Sequence, residues 1–156
     1  MLRFWQIMIM RATIDTSEYV SNLKQLVEAG HEVVITVAGW SMEPFLHNQR
    51  DRVLLRKPIR PLKNGDIVFY QRKTGQYVLH RIFKKKPEGY YLMGDNQLEL
   101  EGPIEENAIF AVATEVERNG RWFSVETLSW TTACGVWRML YPVRKLAHAV
   151  KKAMRK

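Results

Sequence analysis

The chain of 156 residues contains a single cysteine, Cys134, which excludes an intrachain disulfide framework and supplies too few thiolates for a structural zinc site. With no disulfide to form, a reducing compartment is the default. Cys134 itself is expected as a small buried apolar residue. Long hydrophobic runs are also missing. Residues 1–10 are apolar, but Gln6 interrupts them and Arg11 closes them, at about half of the roughly 20 residues that span a bilayer. The residues that follow lack the small side chains of a cleavage site, so neither a transmembrane helix nor a cleavable signal peptide is expected. The segment should remain on the chain, packed on the body or dipped into a membrane surface. Nine glycines and six prolines are too few for a low-complexity or collagen-like chain, and no internal repeat is visible.

The chain has the composition of a folded domain, 46% hydrophobic and 26% charged, at a length that buries one core without staples. Its formal net charge of +8 is unevenly distributed. Residues 129–156 carry seven Lys and Arg and no acid, which leaves the preceding 128 residues at about +1. A neutral body with a cationic tail points to an appended electrostatic anchor. A nucleic-acid-binding body would be basic throughout, so nucleic acid is not expected as a partner.

Residues 16–29 read as a helix: Tyr19, Val20, Leu23, Leu26 and Val27 recur at helical spacing, and Gly30 can end it. Beyond Gly30 the period becomes that of strands. Residues 32–38, 52–56, 66–71, 76–84, 89–93, 108–118 and 121–126 are short, β-branched or aromatic runs. Turn chemistry separates several of them, at Lys63-Asn64-Gly65, Lys73-Thr74-Gly75 and Asn119-Gly120. The expected fold is mainly β, a body of antiparallel sheets with an N-terminal helix and a C-terminal basic amphipathic helix. The chain divides into residues 1–31 (apolar segment and helix), 32–128 (β-rich domain) and 129–156 (apolar and basic helical tail).

In that tail, Pro142 can begin a helix in which Val143, Leu146, Ala147, Val150 and Met154 share a face, while Arg144, Lys145, Lys151, Lys152, Arg155 and Lys156 occupy the remainder. Such a helix suits the interface of an anionic membrane. It could equally pack its apolar face on its own body.

Three segments carry candidate chemistry. Gly39-Trp40-Ser41-Met42-Glu43-Pro44 places a serine at a strand-to-turn junction. Tyr77-Val78-Leu79-His80-Arg81-Ile82 is a strand in which His80 shares a face with Val78 and Ile82. Met93-Gly94-Asp95-Asn96, followed by Glu99 and Glu101, is an acidic turn. Taken singly these are a serine before a turn, a core histidine and a solvated turn. Taken together they supply a nucleophile, a base and a carboxylate. Acyl transfer needs all three, because a serine hydroxyl is a poor nucleophile until an imidazole takes its proton and a carboxylate orients that imidazole. His31, His47 and His148 have no comparable partners.

Ser41-Met42-Glu43-Pro44, Gly65-Asp66-Ile67-Val68, Val78-Leu79-His80-Arg81-Ile82 and Gly94-Asp95-Asn96 occur in the order of the boxes of type I signal peptidases, which the chain resembles over roughly residues 32–115. Those are mainly β serine peptidases that share their catalytic fold with self-cleaving repressors. A histidine where many members carry a lysine base is similar to the endoplasmic-reticulum and archaeal branch. The resemblance implies Ser41 as nucleophile and His80 as general base. It implies Glu101 as the orienting carboxylate, in a position usually held by aspartate, with Asp95 a second, supporting acid. Gly39, Met42 and Pro44 would line the substrate. Many relatives carry a hydroxyl residue at the position of Gly39 that helps hold the oxyanion, so here backbone N–H groups, beginning with that of Ser41, would serve.

The expected function is a serine endopeptidase acting on a peptide or precursor protein laid along a strand edge, without metal or organic cofactor. It would be cytoplasmic or peripheral to a membrane, with residues 129–156 as the membrane contact. The alternative is a catalytically inactive peptide-binding module of the same fold. A self-cleaving regulator fits less well, because only about 31 residues precede the first strand and a helix-turn-helix domain needs more.

Overall fold

The computed structural model describes residues 16–155, so the apolar segment at residues 1–10 lies outside the described residues. Helix α1 (Thr16–Glu28) presents Val20, Leu23 and Val27 to the core and leaves Leu26 on its outer side. Gly30, at φ +90°, ends it: the N–H of Gly30 donates to the Val27 carbonyl and that of His31 to the Leu26 carbonyl.

Eight strands follow: β1 (Val33–Thr36), β2 (Arg52–Arg56), β3 (Ile67–Gln71), β4 (Tyr77–Lys86), β5 (Gly89–Met93), β6 (Glu101–Ile104), β7 (Ile109–Arg118) and β8 (Arg121–Ser124). They form one antiparallel sheet in the order β1-β2-β7-β3-β4-β5-β6. Strand β8 joins it on β7, which meets β3 along its first half and β8 along its second. The seven strands expected from periodicity are all present. The eighth, β6, contains Gly102 and Pro103 and is not among the strands expected from periodicity. It forms at the sheet edge, paired only with β5 among the described residues, where a proline costs no ladder bond.

Alternation along β3 builds two cores. Ile67 and Phe69 face α1 and the helix that follows the sheet, α2 (Leu128–Met139), which contributes Trp130 and Cys134. Val68 and Tyr70 face the other way, onto Ile82, Tyr90 and Leu92. Burial raises the Cys134 thiol to about 11, so it packs as a neutral apolar group. The chain then turns at Leu140 into α3 (Tyr141–Ala153), which carries Pro142 in its first turn as the sequence suggests. No helix among the described residues is long and apolar enough to cross a membrane.

Candidate active site

Strand β1 runs into the segment that carries Ser41, and that segment is firmly braced. Met42 and Leu46 plug it into the core, with the N–H of Leu46 bonded to the Met42 carbonyl at 2.9 Å. Its far end is held by Asp51, fully buried, which accepts from the His47 N–H (3.0 Å), from Arg50 and from Arg118. Burial alone would raise the Asp51 carboxyl, but these donors outweigh it and hold the group at about 2. Arg118 also donates to the Phe45 carbonyl. Gly39, at φ +88°, makes the corner before the serine and donates its N–H to Asn48 Oδ1 at 2.9 Å.

Ser41 is half-buried, between Trp40, 64% exposed, and Met42, 2% exposed. The expectation that Met42 lines the substrate is therefore corrected, because its side chain is spent on holding the turn to the core. Gly39 and Pro44 do lie on the surface, and the sequence reading gave no role to Trp40, the most prominent apolar group beside the serine.

Strand β4 sends consecutive side chains to opposite faces, and this separates the two candidate carboxylates. Arg81 points to the side of Phe45, its guanidinium 5.5 Å from the ring centroid, and forms a buried two-pronged pair with Asp95, both N···O distances being 2.7 Å. A further bond from Arg81 to the Gly65 carbonyl, at 2.9 Å, ties the pair to the loop before β3. Asp95 is thus committed to Arg81, on the face away from the imidazole, and its place in the site is structural.

His80 points to the second core, where Nδ1 lies 3.3 Å from the Tyr70 hydroxyl. That hydroxyl donates to Glu101 Oε2 at 2.8 Å, and Arg72 clamps the same carboxylate with bonds of 2.7 and 2.6 Å. Glu101 therefore reaches the histidine through Tyr70. The arrangement sets the protons. Because the Tyr70 O–H is directed at the carboxylate, its oxygen is left to accept from His80 Nδ1–H, so Nε2 carries the free lone pair. Burial pushes His80 down to about 4, opposed by the charge of Glu101, so the ring is neutral at physiological pH. The Arg72 bonds hold Glu101 below the usual carboxylate range, while burial raises the Tyr70 phenol and keeps it protonated.

Gly94 links the serine to the end of β5. It follows Met93, the last residue of that strand, which pairs with Arg81 on β4. A Cβ at Gly94 would lie 2.5 Å from the Ser41 carbonyl oxygen and 3.0 Å from Ser41 Cβ, so glycine is required here by close approach. The N–H of Asn96 donates to the Ser41 carbonyl at 2.8 Å, and its side chain donates to the Trp40 carbonyl at 3.3 Å. The Gly94-Asp95-Asn96 turn thus holds the serine segment against the end of β5.

Sequence reasoning missed Tyr70 and Arg72. The signal for Tyr70 was its place two residues after Val68 in an apolar strand, which gives a buried aromatic a hydroxyl to satisfy. Arg72 carried no signal, since its partner lies 29 residues away. Among the described residues, no group of three or more His, Cys, Asp or Glu is arranged to hold a metal ion.

This is a mainly β body that carries a braced serine turn and a buried neutral histidine, a fold that fits a peptidase-type domain. The chain matches the model of the peptidase S24-like family over residues 7–114 and belongs to that family. No curated protein matches the chain.

Proposed function

We propose that the protein is a serine endopeptidase of the signal-peptidase-like, histidine-base type, cutting a peptide or precursor protein through an acyl-enzyme on Ser41. The observation that carries this reading is the Glu101–Tyr70–His80 relay, which leaves Nε2 free to act as a base, supported by the close approach of Ser41 to Gly94 just after β5. In the reaction, Ser41 Oγ attacks the scissile carbonyl carbon as its proton passes to Nε2. The oxyanion is met by backbone N–H groups, beginning with that of Ser41. As the C–N bond breaks, Nε2–H protonates the leaving amine. Water then repeats the sequence on the ester and frees Ser41. Tyr70 fixes the tautomer, and the Glu101 charge behind it favours the imidazolium formed in each step.

The substrate lies extended along β1, an edge strand that pairs only with β2 among the described residues, and passes Gly39, Trp40 and Pro44 on the surface. Family membership supports a peptidase-type activity, and the histidine base distinguishes this site from lysine-base members.

The test is labelling by a fluorophosphonate serine probe, read by intact mass on folded wild-type, Ser41→Ala and His80→Ala proteins. Labelling is expected on wild type, absent in Ser41→Ala and reduced at least about 10²-fold in His80→Ala. Its rate should rise through an acid limb near 4, below the roughly 6.5 of a free imidazole. A folded wild type that never labels overturns the reading in favour of a peptide-binding module. A limb in the lysine range removes His80 as the base.

A further inference from the structure

Helix α3 has no buried residue, and among the described residues only its first turn is tied to the body. Tyr141 Oη donates to the Leu98 carbonyl at 2.8 Å, and Arg144 donates to the carbonyls of Asp95 (2.8 Å) and Gln97 (3.2 Å) while stacking 4.3 Å from the Trp137 ring centroid. Along the helix, Val143, Leu146, Val150 and Met154 form a continuous apolar sector in open solvent, with Leu146 at 66% and Met154 at 82% exposure. At 3.6 residues per turn, these positions fall within a sector of roughly 100°, running about 17 Å along the helix. Lys151 and Arg155 flank one side of it, and Lys145 and Lys152 lie behind.

We infer that α3 is a peripheral docking element for an anionic lipid bilayer, its apolar sector lying in the headgroup boundary and its cations on the phosphates. Charge selects this occupant. Residues 129–156 hold seven basic residues and no acid, so a second copy of the same face would bring like charges together, and an apolar protein groove would leave the flanking cations unmatched. A nucleic acid would leave the apolar sector in water. The same first turn of α3 caps the Asp95, Gln97 and Leu98 carbonyls of the turn whose Asn96 N–H holds Ser41, so a docked helix keeps the candidate site at the bilayer surface.

The experiment is co-sedimentation of the full chain with phosphatidylglycerol/phosphatidylcholine vesicles and with pure phosphatidylcholine vesicles. It compares wild type with Leu146→Glu/Val150→Glu and with Lys151→Gln/Lys152→Gln/Arg155→Gln, all confirmed folded by circular dichroism. Wild type should bind the anionic vesicles and lose several-fold in 0.5 M salt. The glutamate pair should bind at least about tenfold more weakly, and the glutamine set several-fold. Wild type that binds neither vesicle overturns the inference. So does a glutamate pair that binds as wild type, which would assign binding elsewhere, including residues 1–15. Concentration-dependent dimers removed by the glutamate pair, in protein that ignores vesicles, would assign the face to self-association and also overturn it. Serine labelling in solution should be unchanged in both variants, which separates this inference from the peptidase reading.

Discussion

Two neighbouring residues of β4, His80 and Arg81, are both buried polar groups, yet they are satisfied in opposite ways. Arg81 has a full charge matched at 2.7 Å by Asp95, a closed pair with its oxygens and nitrogens committed. His80 is neutral, held at one nitrogen by a 3.3 Å contact to Tyr70, with the charge of Glu101 kept one hydroxyl away. A closed ion pair fixes geometry and has little left for chemistry. A neutral ring with one free lone pair costs stability in acid and is available to move a proton. The same strand therefore carries a structural clamp on one face and a candidate catalytic group on the other.

The comparison can be broken most severely on the Arg81 side. Asp95→Asn leaves a buried guanidinium without its counter-charge and should destabilise the fold by about 3–5 kcal/mol in urea unfolding, whereas Arg81→Met/Asp95→Leu should recover most of that loss. An Asp95→Asn protein as stable as wild type would show that the pair is not the clamp described.

Acid separates the two faces next. His80 titrates near 4 when folded and near 6.5 when unfolded, so the unfolded chain binds the extra proton between those values. Stability should fall as pH drops from about 6.5 to 4, by on the order of 3 kcal/mol, and His80→Gln should flatten that window. Asp51 and Glu101, both lowered in the fold, add a separate loss at still lower pH as they are protonated. An unchanged slope in His80→Gln between pH 6.5 and 4 would assign the effect to other groups.

Tyr70→Phe sharpens the comparison because it removes one oxygen from the relay and leaves the Arg72–Glu101 clamp in place. Serine labelling should fall by about 10–100-fold with a displaced acid limb, at a stability cost of roughly 1 kcal/mol. A loss of stability without a change in the pH profile would make Tyr70 a packing residue. The smallest effect is expected at Gly39→Ser. The site has open space but φ is +88°, so the cost is backbone strain alone, about 1 kcal/mol in thermal unfolding, with no gain in labelling. A clear gain in labelling would show that an oxyanion hydroxyl can be restored at this position.

Much of this molecule is legible locally. Period-2 runs marked seven of eight strands and set His80 on the face of Val78 and Ile82, where the second core forms. Helical spacing and Gly30 bounded α1, and the apolar stripe and basic remainder of α3 follow from residues 143–155 alone. The strand β6 was hidden because its Gly102-Pro103 pair is locally a loop signal, and only the free edge of β5 makes it a strand. Glu101 was found through resemblance, but its route to His80 could not be, since Tyr70 lies 31 residues before it. Met42 reads as a surface neighbour of the serine, and becomes core only because the turn folds back onto α1 and the sheet.

The sequence by itself determined what each residue's immediate neighbours enforce: strand and helix periods, the turn glycines, the unbalanced charge of the tail and the face on which His80 lies. The tertiary structure alone decided which distant groups meet, namely Arg81 with Asp95, Tyr70 with Glu101, and Gly94 with Ser41. The reason is that side-chain direction follows from backbone period within one strand, whereas contact depends on the register between strands, and that is fixed only when the whole core closes.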